Sequence, residues 1–217
     1  MKIVAFVPLK LNNERLPGKN LKPFLDGQSP LSLTLAMLQR VHLVDEVYVF
    51  CSSGSLRDQI PDSIRFIQRS AELDSATTTG NDLVQAFAQV VEADIYVKMH
   101  VTAPFIEPAS IERGINALLN EGYDSAFPVT TQHEFLWIGG KPNYNTKHIP
   151  RTQDLMPFHI ETTGFYVYKK EVLCRCDSRI GTKPFLIPVS KIEATDINDP
   201  IDFDIASAIY SQVILKR

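Results

Sequence analysis

The sequence predicts an α/β protein, a Rossmann-like three-layer sandwich in which helices cover both faces of a mostly parallel sheet. Three observations carry this. Apolar, β-branched runs alternate with stretches of helical period from residue 3 to about 129, the rhythm of a wound sheet. The first run, Ile3–Pro8, reads as a buried strand and empties into a basic loop, the place where open α/β sheets take ligands. The length, 217 residues, suits one domain over 1–217 with a proper core.

The elements follow in order. Ser29-Pro30 is an N-cap with proline at the first helical position, and Leu31, Leu35, Leu38 and Val41 share the apolar face behind it. Glu46–Cys51 is a second strand, a short helix reaches Ile60, and Ile64–Ile67 is a brief third strand. Residues 81–92 form a helix with Leu83, Val84, Phe87, Val90 and Val91 inward, and Asp94–Met99 is a strand. Pro108 opens a helix with Ile111, Ile115, Leu118 and Leu119 at helical spacing, which Gly122 stops. Asp124–Val129 is the next strand. The rhythm then breaks: about 131–160 is rich in proline, glycine and aromatics, too long for a plain loop, and is expected to have its own function. A strand at 183–189 and a helix at 200–215, capped by Asp199 ahead of Pro200, close the chain.

Charge singles out the first loop. Residues 10–22 hold Lys10, Arg15, Lys19 and Lys22 against Glu14, a formal +3; the whole chain is −3, so the rest carries −6. Such a loop is either a solvated connection or a polyphosphate site. Pro17-Gly18 imposes a turn and Gly18 admits a close ligand, while Asn12, Asn13 and Asn20 add neutral donors. Neither the P-loop pattern nor G-x-G-x-x-G occurs, so side-chain cations must replace a glycine cradle.

The run K-x-N-N-E-R-L-P-G-K-N-L after this strand resembles the opening signature of the acylneuraminate (CMP-sialic acid) cytidylyltransferase family, A-R-x-x-S-K-x-(I/L)-P-x-K-N-(I/L). Lys10 stands at the usual arginine, and Lys19-Asn20-Leu21 matches K-N-L. The resemblance implies that Lys10, Asn12, Arg15, Lys19 and Asn20 bind the nucleotide, with Arg69 and the 77–80 turn, including Thr79, nearby. On spacing alone Arg69 equally fits an ion pair with Glu72 or Asp74. His100-Val101-Thr102-Ala103-Pro104 stands where the family has Q-x-T-S-P, which implies acceptor contacts by His100 and Thr102; read by itself, His100 either donates to a ligand or caps its strand. Arg151-x-Gln153 and a strand beginning Glu161-Thr162-Thr163-Gly164-Phe165-Tyr166 match the family's acceptor segments, so Arg151, Gln153 and Glu161 join that list. The family's D-I-D becomes Asp196-Ile197-Asn198, implying a Mg²⁺ site at Asp196 and Asn198 with one charge fewer. The implied catalytic set is Lys10, Lys19 and Asp196. The 131–160 insertion is implied to pack on a second subunit, with Phe135 and Trp137 either interface core or ligand stackers.

The resemblance thus implies a Mg²⁺-dependent cytidylyltransferase that activates an acidic, nonulosonate-type sugar with CTP, expected as a homodimer. The alternatives are a nucleotidyltransferase for another base or acceptor, or a nucleotide-binding relative without turnover, for which the substitutions Lys10, His100 and Asn198 speak. Mild acidity, pI near 6.0, argues against nucleic-acid partners, and no apolar run approaches the roughly 20 residues of a membrane span. The start lacks a small-residue cleavage site, and Cys51, Cys174 and Cys176 make neither a disulfide framework nor a second metal pair. A reducing cytoplasm is the expected setting.

Overall fold

Buried β-branched runs form the centre of a mixed sheet in the computed structural model, which describes residues 1–13 and 15–216; Glu14, counted in the loop charge, and Arg217 lie outside them. Strands β1 (Ile3–Leu9), β2 (Glu46–Cys51), β3 (Arg65–Gln68) and β4 (Ile95–Met99) pair in parallel in the order β3-β2-β1-β4. Beyond β4 lie β9 (Phe165–Lys169), β5 (Ser125–Gln132) and β10 (Pro184–Pro188). β10 is parallel to β5, whereas β9 is antiparallel to both its neighbours. The sheet is therefore mostly parallel, as the strand-helix rhythm predicts, with two reversed strands, β9 and β8 (Phe158–Glu161), the latter antiparallel to β5.

Helices α1 (Pro30–Leu38) and α3 (Pro108–Asn120) bury Leu31, Leu35, Ile111 and Ile115 on one face. Helices α2 (Gly80–Val90) and α4 (Lys170–Cys176) bury Val84, Phe87, Val172 and Leu173 on the other, completing the three layers. A satellite cluster forms where α5 (Pro200–Ile209) lays Phe203 and Ala206 against Phe24 and Phe105. Its cap is Asp199, whose carboxylate accepts from the N–H groups of Ile201 and Asp202.

The sequence reading needs local corrections. Val90 and Leu119 were expected inward, yet are exposed. Neighbours along a helix are about 100° apart, so beside the buried Leu118 the next residue must turn away; α2 ends at Val90 and Val91 takes the buried place. The closing α-helix stops at Ile209 and gives way to a π turn at Tyr210–Ile214. Glu161–Tyr166 is two strands: β8 (Phe158–Glu161) ends there, Thr163 takes φ +56°, and β9 starts at Phe165. Between β5 and β8, the hairpin β6 (Trp137–Ile138) and β7 (Lys141–Pro142) turns at Gly139-Gly140, both with positive φ. Phe135, Trp137, Ile138, Ile149 and Met156 of this arm are exposed. Among the described residues no helix is long and apolar enough to cross a membrane.

Candidate active site

The basic loop leaves β1 and is folded onto the chain's far end. Gly18, at φ +69°, lets its carbonyl accept from the N–H groups of Leu21 and Lys22, closing a turn. Asn20 is buried and holds the loop together: its Nδ2 donates to the Lys10 carbonyl at 3.0 Å, and its own carbonyl accepts from Leu31 N–H at 3.0 Å. Lys19, also buried, donates its Nζ to the carbonyl of Ile197 at 2.6 Å. Arg15 Nη2 donates to Asn198 Oδ1 at 2.7 Å, and Asn198 Nδ2 donates to Asp196 Oδ2 at 2.6 Å. Ile197 N–H in turn donates to the carbonyl of Thr102 at 2.8 Å. Three segments distant in sequence thus meet at the C-terminal ends of β1 and β4. Burial lowers the Lys19 pKa while nearby Asp196 opposes it.

Beside this junction lies a cleft of about 420 Å³, lined by Lys10, Asn12, Arg15 and Lys19 from the loop and by Ser75 and Thr78 from the opposite wall. Among the described residues the Lys10 ammonium has no hydrogen-bond or ion-pair partner, so its charge is free to face the cleft. Lys22 instead sits 4.1 Å from the Phe203 ring centre. The Thr79 hydroxyl is engaged in a capping box with Asp82 at the start of α2; Thr78 lines the cleft in its place. Arg69 also borders the cleft, but its guanidinium is buried against Asp74 (2.6 Å) and the carbonyls of Leu9 and Phe50. Of its two readings, the ion pair with Asp74 is the one the geometry displays.

The expected acceptor residues divide. Thr102 stands at the junction. His100 is half-buried with Nε2 lacking a partner; burial, with Lys98 and Arg179 nearby, holds its imidazole neutral, its pKa lowered to about 3. Glu161 accepts from the Tyr166 hydroxyl, whose pKa burial and this contact push up to about 12. Arg151 and Gln153 are exposed on the arm, Arg151 forked onto Asp154 at 2.7 and 3.0 Å, and neither lines the cleft. Two cations absent from the sequence reading complete this side: Lys98, inward on β4, and Arg179, stacked 4.1 Å from the Tyr166 ring centre. Lysine in the otherwise apolar strand IYVKM was the visible signal for the first.

Magnesium takes oxygen ligands, usually one or two carboxylates, with water and substrate phosphate completing the shell. Asp196 Oδ1 is a buried carboxylate oxygen with no partner, a donor suited to a cation. Asn198 Oδ1 faces Arg15 and accepts its hydrogen bond. Asp199 and Asp202 are committed to the α5 capping box, and among the described residues no group of three or more His, Cys, Asp or Glu forms a cage. The residues fit an ion anchored at Asp196 and shared with phosphate.

Comparison with known proteins identifies the family and the fold. The sequence model of the cytidylyltransferase family matches residues 4–154, and the chain belongs to that family. It is 28% identical over 149 residues to N-acylneuraminate cytidylyltransferase A of Danio rerio, covering 64% of this chain and 34% of that protein. It is 31% identical over 120 residues to 3-deoxy-manno-octulosonate cytidylyltransferase of Geobacter metallireducens, covering 55% and 45%. The chain thus spans between a third and a half of these two curated relatives. The solved structure of CMP:2-keto-3-deoxy-manno-octonic acid synthetase complexed with CTP superposes with a TM-score of 0.72 over 98% of this chain and 99% of that one, at 18% identity. A 4-diphosphocytidyl-2C-methyl-D-erythritol synthase from Anaerococcus prevotii gives 0.68 at 14% identity, over 100% and 96%. These two structures establish the fold.

Proposed function

We propose that this member of the cytidylyltransferase family transfers CMP from CTP to the hydroxyl of an acidic sugar of the neuraminate or octulosonate type. The acceptor oxygen forms a bond to the α-phosphorus, the bond from that phosphorus to the bridging oxygen breaks, and pyrophosphate leaves with the electron pair. The hydroxyl proton passes to solvent. Positioning and charge neutralisation carry most of such a reaction, and no side-chain nucleophile is needed.

The observation that carries the reading is the junction of Lys19 and Arg15 with the 196–198 segment beside an unpartnered Asp196 oxygen. In this structure Lys19 and Arg15 bond a neutral carbonyl and a neutral amide. Phosphate oxygens are stronger, charge-assisted acceptors and would compete for both cations. Lys10 and Lys19 neutralise the triphosphate with Arg15 in support, while Asn12 and Thr78 edge the nucleotide. Asn20 shapes the loop, and Arg69 braces the cleft floor through Asp74 instead of contacting the base. Magnesium held through Asp196, when bound, would supply further neutralisation of phosphate oxygens. Thr102, His100 and Glu161 face the acceptor. Arg151 and Gln153 serve from the arm, whose exposed Trp137 and Ile138 fit a homodimer interface; light scattering of a monomer at micromolar concentration would defeat that part.

The test offers the protein each of the four nucleoside triphosphates with N-acetylneuraminate or 3-deoxy-manno-octulosonate and follows pyrophosphate. Release with CTP and one acid alone is expected. Release with another triphosphate would move the base assignment. Tight CTP binding without release over a broad panel of sugar acids would favour the binding-only relative.

A further inference from the structure

Beneath the acceptor side lies a second cationic group that, among the described residues, no carboxylate pairs with directly. Lys98 is 2% exposed, and its Nζ makes one long contact, 3.4 Å, to the carbonyl of Gly80. Arg179 donates Nη1 to Asn81 Oδ1 at 3.0 Å, but its Nε is buried without a partner. Among the described residues neither cation has a carboxylate within ion-pair distance. Glu161, on the far side of the Tyr166 hydroxyl, is held by that hydroxyl. Two more buried polar atoms on the same face of the sheet lack partners: His100 Nε2 and the hydroxyl of the fully buried Tyr168.

The surroundings make room for these cations. Gly80 opens α2, and a Cβ there would come within 2.8 Å of Lys98 Nζ and 3.0 Å of Arg179 Nη1. The place also adjoins the cleft. Lys98 pairs with Phe6 across the sheet, two residues before the cleft-lining Pro8, a depth of about 7 Å along the strands. Thr78, on the cleft's opposite wall, is two residues before Gly80. A buried charge normally has a partner. Here two cations lie together, and among the described residues the nearest acid, Glu161, is reached only through the Tyr166 hydroxyl.

We propose that Lys98 and Arg179, with the His100 and Tyr168 polar atoms, form the receiving site for the carboxylate of the acceptor. They would make the enzyme selective for acids over neutral sugars. The inference rests on the function proposed above for its ligand, though not for the existence of an anion site. Burial, reinforced by Arg179, already lowers the Lys98 pKa to about 7, so a bound carboxylate would restore a charge the empty site disfavours.

The test uses the full chain and its Lys98→Met and Arg179→Gln variants, with melting temperature and pyrophosphate release as readouts. N-acetylneuraminate or 3-deoxy-manno-octulosonate should raise the wild-type melting temperature, and its methyl ester should not. Both variants should lose that rise and show an acceptor KM at least about tenfold higher, a common cost of one lost charged contact, with the KM for CTP within about twofold. Without ligand, Lys98→Met should melt no lower than wild type, because it removes an uncompensated charge; a lysine serving only structure would melt lower when replaced. Acceptor KM values equal to wild type in both variants would overturn the site. If neither sugar acid binds or turns over, the sugar reading fails and inorganic phosphate decides the site. A phosphate-induced rise that survives Lys19→Ala but disappears in Lys98→Met keeps it, and an equal rise in wild type and Lys98→Met removes it.

Discussion

Arg69 and Lys98 are both cations at the ligand-binding end of the sheet, 7% and 2% exposed, yet their surroundings are opposite. Arg69 is answered by the Asp74 carboxylate and by the carbonyls of Leu9, Phe50 and Ser70. Lys98 has one distant carbonyl and a like charge nearby. Removing a charge from water is costly, and partners offset that cost only when they are placed around it. The first arrangement is complete without a ligand. The second is incomplete, and incompleteness kept inside a fold points to something that binds. The Lys19–Asp196 junction lies between these extremes: its cations have partners, but neutral ones, weaker acceptors than a phosphate.

The largest effect should come from removing the acid of that junction. Asp196→Ala is expected to cut turnover about 10³-fold, the scale of losing one main electrostatic stabiliser, while calorimetry shows CTP affinity changed less than threefold or so through Lys10 and Lys19. Near-normal pyrophosphate release from the variant would end the metal assignment at this residue.

Next comes the completed cation. Arg69→Met leaves Asp74 with only the Ser52 hydroxyl and removes the Arg69 donor from the Leu9 and Phe50 carbonyls, so a loss of about 2–4 kcal/mol is expected in a denaturant melt. The affinity of the folded fraction for CTP should stay near wild type. A stable variant that no longer binds CTP would return Arg69 to the nucleotide.

Why Arg69 stayed open on sequence alone is a matter of distance along the chain. Asp74 is visible five residues away, but Leu9 is 60 residues off, and only the parallel register of β1, β2 and β3 brings that carbonyl to the guanidinium. The elements themselves were readable because their signals are local: Ser29-Pro30 at a helix start, EVYVFC as a strand, Asp199 before Pro200 as a cap. So was the basic loop, whose K-N-L turn is set by Gly18. The direction of β9 was not, since a strand's own composition is the same whichever way it runs. Lys98 and Arg179 were missed for a related reason. An unpaired charge is defined by what is absent around it, and absence becomes visible only when α2, β4, β9 and the 177–183 loop are packed together.

The incomplete cation gives a pH signature of known sign. The Lys98 pKa is about 7 in the folded protein against an ordinary 10.5, so between these values the unfolded chain binds the extra proton and stability rises with pH. Below pH 7 the whole penalty is present; above about 10.5 none remains. Lys98→Met should therefore melt above wild type at pH 6, by roughly 3 °C for each kcal/mol at this length, and the gap should close toward pH 10. The groups packed around Lys98 leave this window to it: His100 titrates near 3 and Tyr166 near 12, with Arg179 and the Tyr166-bound Glu161 as the other charged groups. A gap that is constant from pH 6 to 10 would mean that Lys98 is not the uncompensated charge.

The smallest effect tests the junction's neutral member. Asn198 bridges an acid and a base: Nδ2 toward Asp196, Oδ1 toward Arg15. An aspartate there loses the hydrogen bond to Asp196 and sets two carboxylates side by side. Their repulsion favours any cation that can lie between them, and Arg15 compensates one of the two. Two carboxylates also hold magnesium with less reliance on water than one. The Mg²⁺ concentration giving half-maximal pyrophosphate release is therefore expected to fall several-fold in Asn198→Asp, by about 1 kcal/mol of cation affinity for one added, partly screened charge. Because Arg15 would then be tied to a carboxylate instead of an amide, the KM for CTP should rise modestly at the same time. An unchanged magnesium requirement with a raised KM would place Asn198 in nucleotide binding alone and leave Asp196 as the sole protein anchor for the ion.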